Sequence, residues 1–201
     1  ISGSGVDLER FQRKNNKNKK SEVNFILVAR MLYDKGIREY IEAAKIVKKS
    51  FKNAVFHLLG DIDKGNPSAI PIEIINTWSK QGIVNYYGMV EDVVPFLENA
   101  DVFVLPSYRE GLSRSIIEAM SMELPIITTD VPGCRETVIE KENGLLVKPN
   151  NVNDLVEAMI FMINNPDIRL KMGKMSRLIA QNKFDVQQIN KEYLSYLDQL
   201  W

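Results

Sequence analysis

Cysteine and histidine are almost missing from this sequence, which has one of each in 201 residues, Cys134 and His57. A single cysteine rules out an intrachain disulfide and suits a reducing compartment. A single histidine cannot by itself build a multi-histidine metal site. Neither sign of charge is in excess. Lys+Arg and Asp+Glu stand at 26 each, so composition argues for no nucleic acid, anionic membrane or acidic partner, and any anion site has to be local. No apolar run approaches the roughly 20 residues that span a bilayer. The start, Ile1 to Arg10, lacks the basic-then-apolar layout of a signal peptide, and Ile1 in place of Met suggests a trimmed chain.

What is present is a chain that is 45% hydrophobic and long enough for one large core. A polar run, Lys14 to Lys20, cannot bury an apolar face and reads as a loop or linker, with a basic membrane-surface patch as the alternative. After it, apolar runs at Val23–Ala29, Ala54–Gly60, Ile83–Gly88, Asp101–Pro106, Pro125–Thr129 and Leu145–Val147 read as strands. Most are continuous, as strands buried on both faces are. Helical periodicity lies between them. Ile37, Tyr40, Ile41, Ala44 and Val47 share one face, and Val152, Leu155, Val156, Met159 and Ile163 share another. Shorter helices are expected at Ile72–Lys80, Val93–Glu98, Ser113–Met122 and Arg135–Glu140, with two more at the end, Asp167–Gln181 and Val186–Leu200, the last capped by Asp185. Strand and helix in alternation predict a Rossmann-like α/β domain: about six parallel strands with helices on both faces. Such sheets bind ligands at the carboxyl ends of their strands, so the loops after Ala29, Gly60, Gly88, Pro106, Thr129 and Val147 are the ones to inspect.

The loop after the first strand runs Arg30-Met31-Leu32-Tyr33-Asp34-Lys35-Gly36. An arginine that can fork two phosphate oxygens and a lysine point charge, five positions apart at a sheet mouth, could neutralise a diphosphate; they could also be two ordinary surface cations. The loop after the fourth strand, Pro106 to Ser113, opens a helix whose first N–H groups need partners, a ready anion site. Ser113 is a candidate N-cap. Arg114 in the first turn opposes the helix dipole, a conflict that a bound anion would remove. Glu110 and Glu118 bracket this turn and suit sugar or ribose hydroxyls; the alternatives are a loop surface residue and a solvated helix residue. Apolar neighbours make a partner necessary for Glu118 if it is charged. After the fifth strand, Pro132-Gly133 marks a turn, with Asp130 and Glu136 as loop-orienting residues or as a helix-capping aspartate and a surface glutamate. His57 reads as a core or sheet-end residue and Cys134 as structural. Gly3-Ser4-Gly5 precedes the first strong strand and is no dinucleotide fingerprint.

Taken together these loops resemble the retaining glycosyltransferases of family GT4, whose GT-B architecture has two Rossmann-like halves. The anchors are Ala29-Arg30 with Lys35-Gly36, Gly60-Asp61, Gly88-Met89-Val90, Pro106-Ser107 through Glu110 to Glu118-Ala119-Met120, Pro125 to Asp130 with Glu136, and Asn143 to Val147. The match runs from about Glu22 to Leu200 and corresponds to the C-terminal, donor-binding half. The resemblance implies that Arg30 and Lys35 bind the donor diphosphate, Glu110 contacts the transferred sugar and Glu118 holds the ribose. Backbone at Gly111, Leu112, Ser113, Arg114 and Ser115 would touch phosphate, and Tyr87 to Val90, with Met89 between, would read the base. It implies a UDP-sugar donor carrying a hexose or N-acetylhexosamine, no metal or other cofactor, and no nucleic acid. It also implies a surface-polysaccharide or lipid-linked acceptor bound through an N-terminal half that this chain lacks, and a cytoplasmic enzyme able to associate peripherally with the inner membrane face. Residues 1–21 would be a post-hinge segment and linker, 22–183 the nucleotide-sugar domain, and 184–201 a helix packing toward the other half. Competing expectations are a sugar-nucleotide 2-epimerase half, a non-catalytic nucleotide- or glycan-binding module, and a flavodoxin-like signalling domain. The last needs an acidic cluster at the strand ends, which the sequence lacks.

Overall fold

A computed structural model describes residues 5–14 and 21–198, with side chains to Ser195. Residues 1–4, residues 15–20 of the polar run, and Gln199 to Trp201 lie outside the described residues. Six strands form one sheet: β1 (Val23–Val28), β2 (Ala54–Leu59), β3 (Asn85–Tyr86), β4 (Val102–Leu105), β5 (Ile126–Thr129) and β6 (Gly144–Val147). Every pairing is parallel, in the order β3-β2-β1-β4-β5-β6. The order reverses between β1 and β4, which places a crevice at their carboxyl ends. The helices are α1 (Ile37–Ser50), α2 (Ile72–Lys80), α3 (Val94–Asn99), α4 (Arg114–Ser121), α5 (Val152–Asn164), α6 (Pro166–Lys183) and α7 (Val186–Asp198). The right-handed rule for parallel crossovers assigns α1 and α2 to one face of the sheet and α3 and α4 to the other; α5 packs on α1 and α6 on α4.

The continuous apolar runs are buried on both faces as expected: β4 and β5 are buried at every position. Tyr40 shows how α1 is fastened. Its ring meets Phe56 edge-on at 5.7 Å, Phe56 stacks on Phe25, and its hydroxyl donates to the Phe25 and His57 carbonyls at 3.0 and 3.1 Å. Burial and a satisfied hydroxyl together make such an aromatic a strong core anchor, worth about 1.5–3 kcal/mol for the burial alone.

Two expectations need correction. The third strand shrinks from Ile83–Gly88 to Asn85–Tyr86, an edge strand whose exit is drawn off to bond Gly60. Arg135–Glu140 is not a helix: residues 132–137 form consecutive turns. Gly133 there has φ 81°. Thr137 Oγ1 donates to the Cys134 carbonyl, and Asn143 Nδ2 to the Thr137 carbonyl. These bonds draw the segment into turns in place of a helical ladder. Asp185 does cap α7, accepting from the Gln187 N–H at 2.9 Å. The described part of the first segment is packed down. Val6 bridges Asp185, and Arg177 donates to the Leu8, Phe11 and Ser121 carbonyls.

Candidate functional site at the carboxyl ends of the strands

The crevice is walled by the loops after β1 and β4. Tyr33–Lys35 forms one 3₁₀ turn, closed by Gly36 in the left-handed region (φ 68°), whose N–H donates to the Tyr33 carbonyl at 2.9 Å. A Cβ on Gly36 would stand 2.0 Å from the Pro106 carbonyl oxygen, so the two loops touch backbone to backbone. This contact brings Lys35 to Glu110. Lys35 Nζ lies 2.6 Å from Glu110 Oε1, and Ser107 Oγ donates to the same oxygen at 2.9 Å. The side chains are 18% and 11% exposed, so water screens the pair far less than it would a surface pair. The ordinary-surface-cation reading of Lys35 therefore fails, as does the surface-loop reading of Glu110.

The loop after β5 supports this pair from below. Gly133 presses on the backbone of Glu110 and Gly111, and Thr129 donates its hydroxyl to the Ser107 carbonyl. Cys134 is buried beside them with its thiol pushed up by desolvation, against which the Thr128 and Thr129 hydroxyls act. That is a structural cysteine. Asp130 bonds its near neighbour Arg135 at 2.9 Å with no helix after it to cap, so the helix-capping reading fails, while Glu136 is exposed as a surface residue.

Arg30 stands at the same mouth but farther out, 62% exposed, with Nη1 2.9 Å from Asp63 Oδ2. Asp63 belongs to a wall that the sequence only hinted at. Residues 61–70 are stitched to the first loop by Met31 N–H to the Asp61 carbonyl, Tyr33 N–H to the Ser68 carbonyl and Ile70 N–H to the Met31 carbonyl. Between them lies an open hollow of about 480 Å³ lined by Arg30, Asp61, Ile62, Asp63 and Lys64. The loop after Gly60 is marked in the sequence by its position and by the Gly60-Asp61 anchor, with no role for its residues; the run of turn residues Asp63-Lys64-Gly65-Asn66-Pro67 was its further signal.

At α4, Ser113 occupies the N-cap position but makes no capping bond; its hydroxyl lies 3.3 Å from Ser115 Oγ. Gly111 is exposed and Leu112 half-buried beside it. Arg114 resolves its conflict with the dipole differently from the expectation: its Nε pairs with Glu118 Oε1 at 3.2 Å, so no bound anion is needed to explain it. Glu118 is 15% exposed on its side chain, and burial raises its pKa while Arg114 opposes that shift. A carboxyl raised by folding keeps its proton better in the folded state, so its favourable contribution exists at low pH and is lost as pH rises through the raised value. Glu118→Gln is accordingly expected to raise the melting temperature at pH 7 and to change it little at pH 4. Melting curves across that range check the sign; equal shifts at both values would refute it.

The third loop lies beyond Gly60, whose N–H donates to the Gly88 carbonyl at 2.8 Å. Met89 is 77% exposed at this mouth and Val90 half-buried. The Tyr87 side chain turns away from the mouth. Its hydroxyl lies 3.2 Å from His57 Nδ1 and its ring packs edge-on against Phe96. His57 Nε2 faces Asn24 Oδ1 at 2.9 Å, and burial lowers its pKa, which fits a neutral sheet histidine.

Among the described residues, no group of three or more His, Cys, Asp and Glu is arranged to hold a metal ion, and no helix is long and apolar enough to cross a membrane. The chain is similar to known proteins in three ways. Residues 8–178 match the family model "Glycosyl transferases group 1". The chain is 34% identical, over 96% of its own length and 48% of the relative's, to an N,N'-diacetylbacillosaminyl-diphospho-undecaprenol alpha-1,3-N-acetylgalactosaminyltransferase of Campylobacter jejuni. It is 32% identical, over 95% of its length and 52% of the relative's, to the capsular polysaccharide biosynthesis glycosyltransferase CapM of Staphylococcus aureus. Its fold superposes on Anabaena HepE in complex with UDP with a TM-score of 0.83 at 19% identity, covering 97% of this chain and 56% of that one. The chain thus spans about half the length of the curated relatives it matches. With its parallel sheet, its crevice at the order reversal and a family match across most of its length, the chain belongs to the group 1 glycosyl transferases.

Proposed function

We propose that this chain is the donor-binding half of a retaining glycosyltransferase that moves a hexose or N-acetylhexosamine from a UDP-sugar to a lipid-linked or surface-polysaccharide acceptor. The observation that carries the reading is the half-buried Lys35–Glu110 pair at the β1/β4 crevice. A cation and a carboxylate held side by side suit a ligand that is anionic at one end and hydroxylated at the other. Lys35, with Arg30 and the N–H groups opening α4, binds the diphosphate, and Glu110 accepts from sugar hydroxyls. Glu118 is assigned to the ribose and the backbone at Tyr87 to Val90 to the base. Arg30 and Lys35 now hold Asp63 and Glu110, so the donor exchanges phosphate for these carboxylates on binding.

As the sugar–phosphate bond breaks, negative charge grows on the leaving diphosphate, and these fixed donors stabilise it as it develops. The charge comes from side chains and a helix end, so the reading assigns no metal. Residues 22–183 form the donor unit. In the segment 184–201, α7, whose Tyr193 and Leu194 are 47% and 60% exposed, packs toward the companion half that binds the acceptor. The site of action is the cytoplasmic side of a membrane that bears the acceptor. The Campylobacter and Staphylococcus relatives support the acceptor class and the HepE complex supports the nucleotide.

Calorimetric titration of this chain with UDP, GDP and ADP, with EDTA present, tests the reading. UDP is expected to bind most tightly and without metal. No binding of UDP at millimolar concentration would end the proposal.

A further inference from the structure

The Lys35–Glu110 pair joins two segments that no strand or long helix holds in register. Lys35 closes a single 3₁₀ turn and Glu110 lies on an irregular loop. Beside the Gly36–Pro106 backbone contact, a second tie between the two segments lies a few residues away on each side. Glu39, four residues after Lys35, sits in the first turn of α1, and Tyr108 lies two residues before Glu110. Tyr108 Oη donates to Glu39 Oε1 at 2.8 Å, and the Tyr108 N–H donates to the Asp34 carbonyl at 2.9 Å. The alternative tie, Arg109 to Asp34 at 3.5 Å, involves an arginine 86% exposed and fixes little.

A second observation points the same way. The other carboxylate oxygen, Glu39 Oε2, is buried and has no hydrogen-bond partner. An unpartnered buried carboxylate oxygen is unfavourable to the fold. The first-turn position in α1 favours a carboxylate, but it does not require one oxygen to be buried without a partner, and that oxygen calls for an account of its own. Burial, and then the bond to Glu39, raise the Tyr108 pKa, so its hydroxyl remains a donor across the physiological range.

We infer that Tyr108 and Glu39 are a positioning pair whose hydrogen bond sets the place of Glu110 relative to Lys35, and so governs the fit of the sugar more than that of the diphosphate. The asymmetry follows from the two side chains. Lysine is a point charge on a flexible stem and follows a phosphate through a small displacement. A carboxylate that accepts from hydroxyls depends on distance and angle and loses its bonds when its loop moves. The inference rests on the donor reading above.

Calorimetry on this chain with UDP and with UDP-N-acetylgalactosamine tests it. Tyr108→Phe is expected to weaken the UDP-sugar by about fivefold, the worth of about one hydrogen bond, and to leave UDP within about twofold. Because Tyr108→Phe strips a buried carboxylate of its partner, a second variant separates positioning from folding. Glu39→Leu with Tyr108→Phe removes both groups, should melt close to the wild type, and should still lose the sugar-dependent gain. Glu39→Gln keeps the acceptor oxygen and should retain that gain. An unchanged ratio of UDP-sugar to UDP affinity in both Tyr108→Phe and the double variant would overturn the inference, as would equal losses for the two ligands. A wild type that binds neither ligand overturns the donor reading as well; a wild type that binds both while the variants stay silent overturns the positioning pair alone.

Discussion

Replacing Lys35 by alanine is expected to lower turnover of the full-length enzyme by roughly a hundredfold or more, as loss of a preorganised oxyanion donor does. The argument starts from burial. Lys35 Nζ is 2.6 Å from Glu110 Oε1 in a site where both side chains are largely covered. Without the ammonium, Glu110 keeps the Ser107 hydroxyl at 2.9 Å but no paired cation among the described residues, and its uncompensated charge then faces the incoming diphosphate. The leaving group would lose its stabilising cation and gain a repelling carboxylate. UDP affinity of this chain should fall together with turnover. Arginine should not restore either: its planar fork does not fit where a compact ammonium meets a single carboxylate oxygen. Steady-state kinetics and a UDP titration on the same variant decide the matter, with a melting curve to exclude unfolding. Wild-type values in both would remove Lys35 from the mechanism.

Gly36→Ala is expected to be strongly damaging for so small a substitution. Its φ of 68° is unfavourable for any L-residue by about 1–2 kcal/mol. The added methyl would also begin 2.0 Å from the Pro106 carbonyl oxygen, a backbone atom that cannot rotate away. The β1 and β4 loops would have to part. Together the two effects should cost at least about 3 kcal/mol, or roughly 6–12 °C in melting temperature for a domain of this size. Nucleotide binding should weaken even in the cold, where the protein is still folded, because the same separation carries Lys35 away from Glu110. Thermal melts, and UDP titration well below the melting temperature, test both parts. A variant that melts like the wild type would show that the loops are not pressed together.

Both predictions depend on a pairing that spans 75 positions of sequence, which marks how far the sequence could be read. The continuous apolar runs announced parallel strands buried on both faces, because only crossover connections cover a sheet twice. The boundaries of α2, over Ile72–Lys80, and the Asp185 cap were legible for local reasons: periodicity and a side chain bonding its own helix end. The Arg135–Glu140 helix was misread because its local pattern competes with bonds from Asn143 and Thr137. Arg114 was read against the helix dipole alone, and its partner Glu118, four residues on along the same helix, was not paired with it.

The amino-acid sequence alone settled the class of fold, the loops that stand at the carboxyl ends of the strands and the residue types they present, since these follow from short-range periodicity and from the resemblance carried by those loops. Only the tertiary structure decided which charges meet. Placing β1 beside β4 set Lys35 against Glu110 and Tyr108 against Glu39, while the folding of residues 61–70 over the first loop gave Arg30 to Asp63. Strand order is a property of the whole sheet, so no local run of residues contains it.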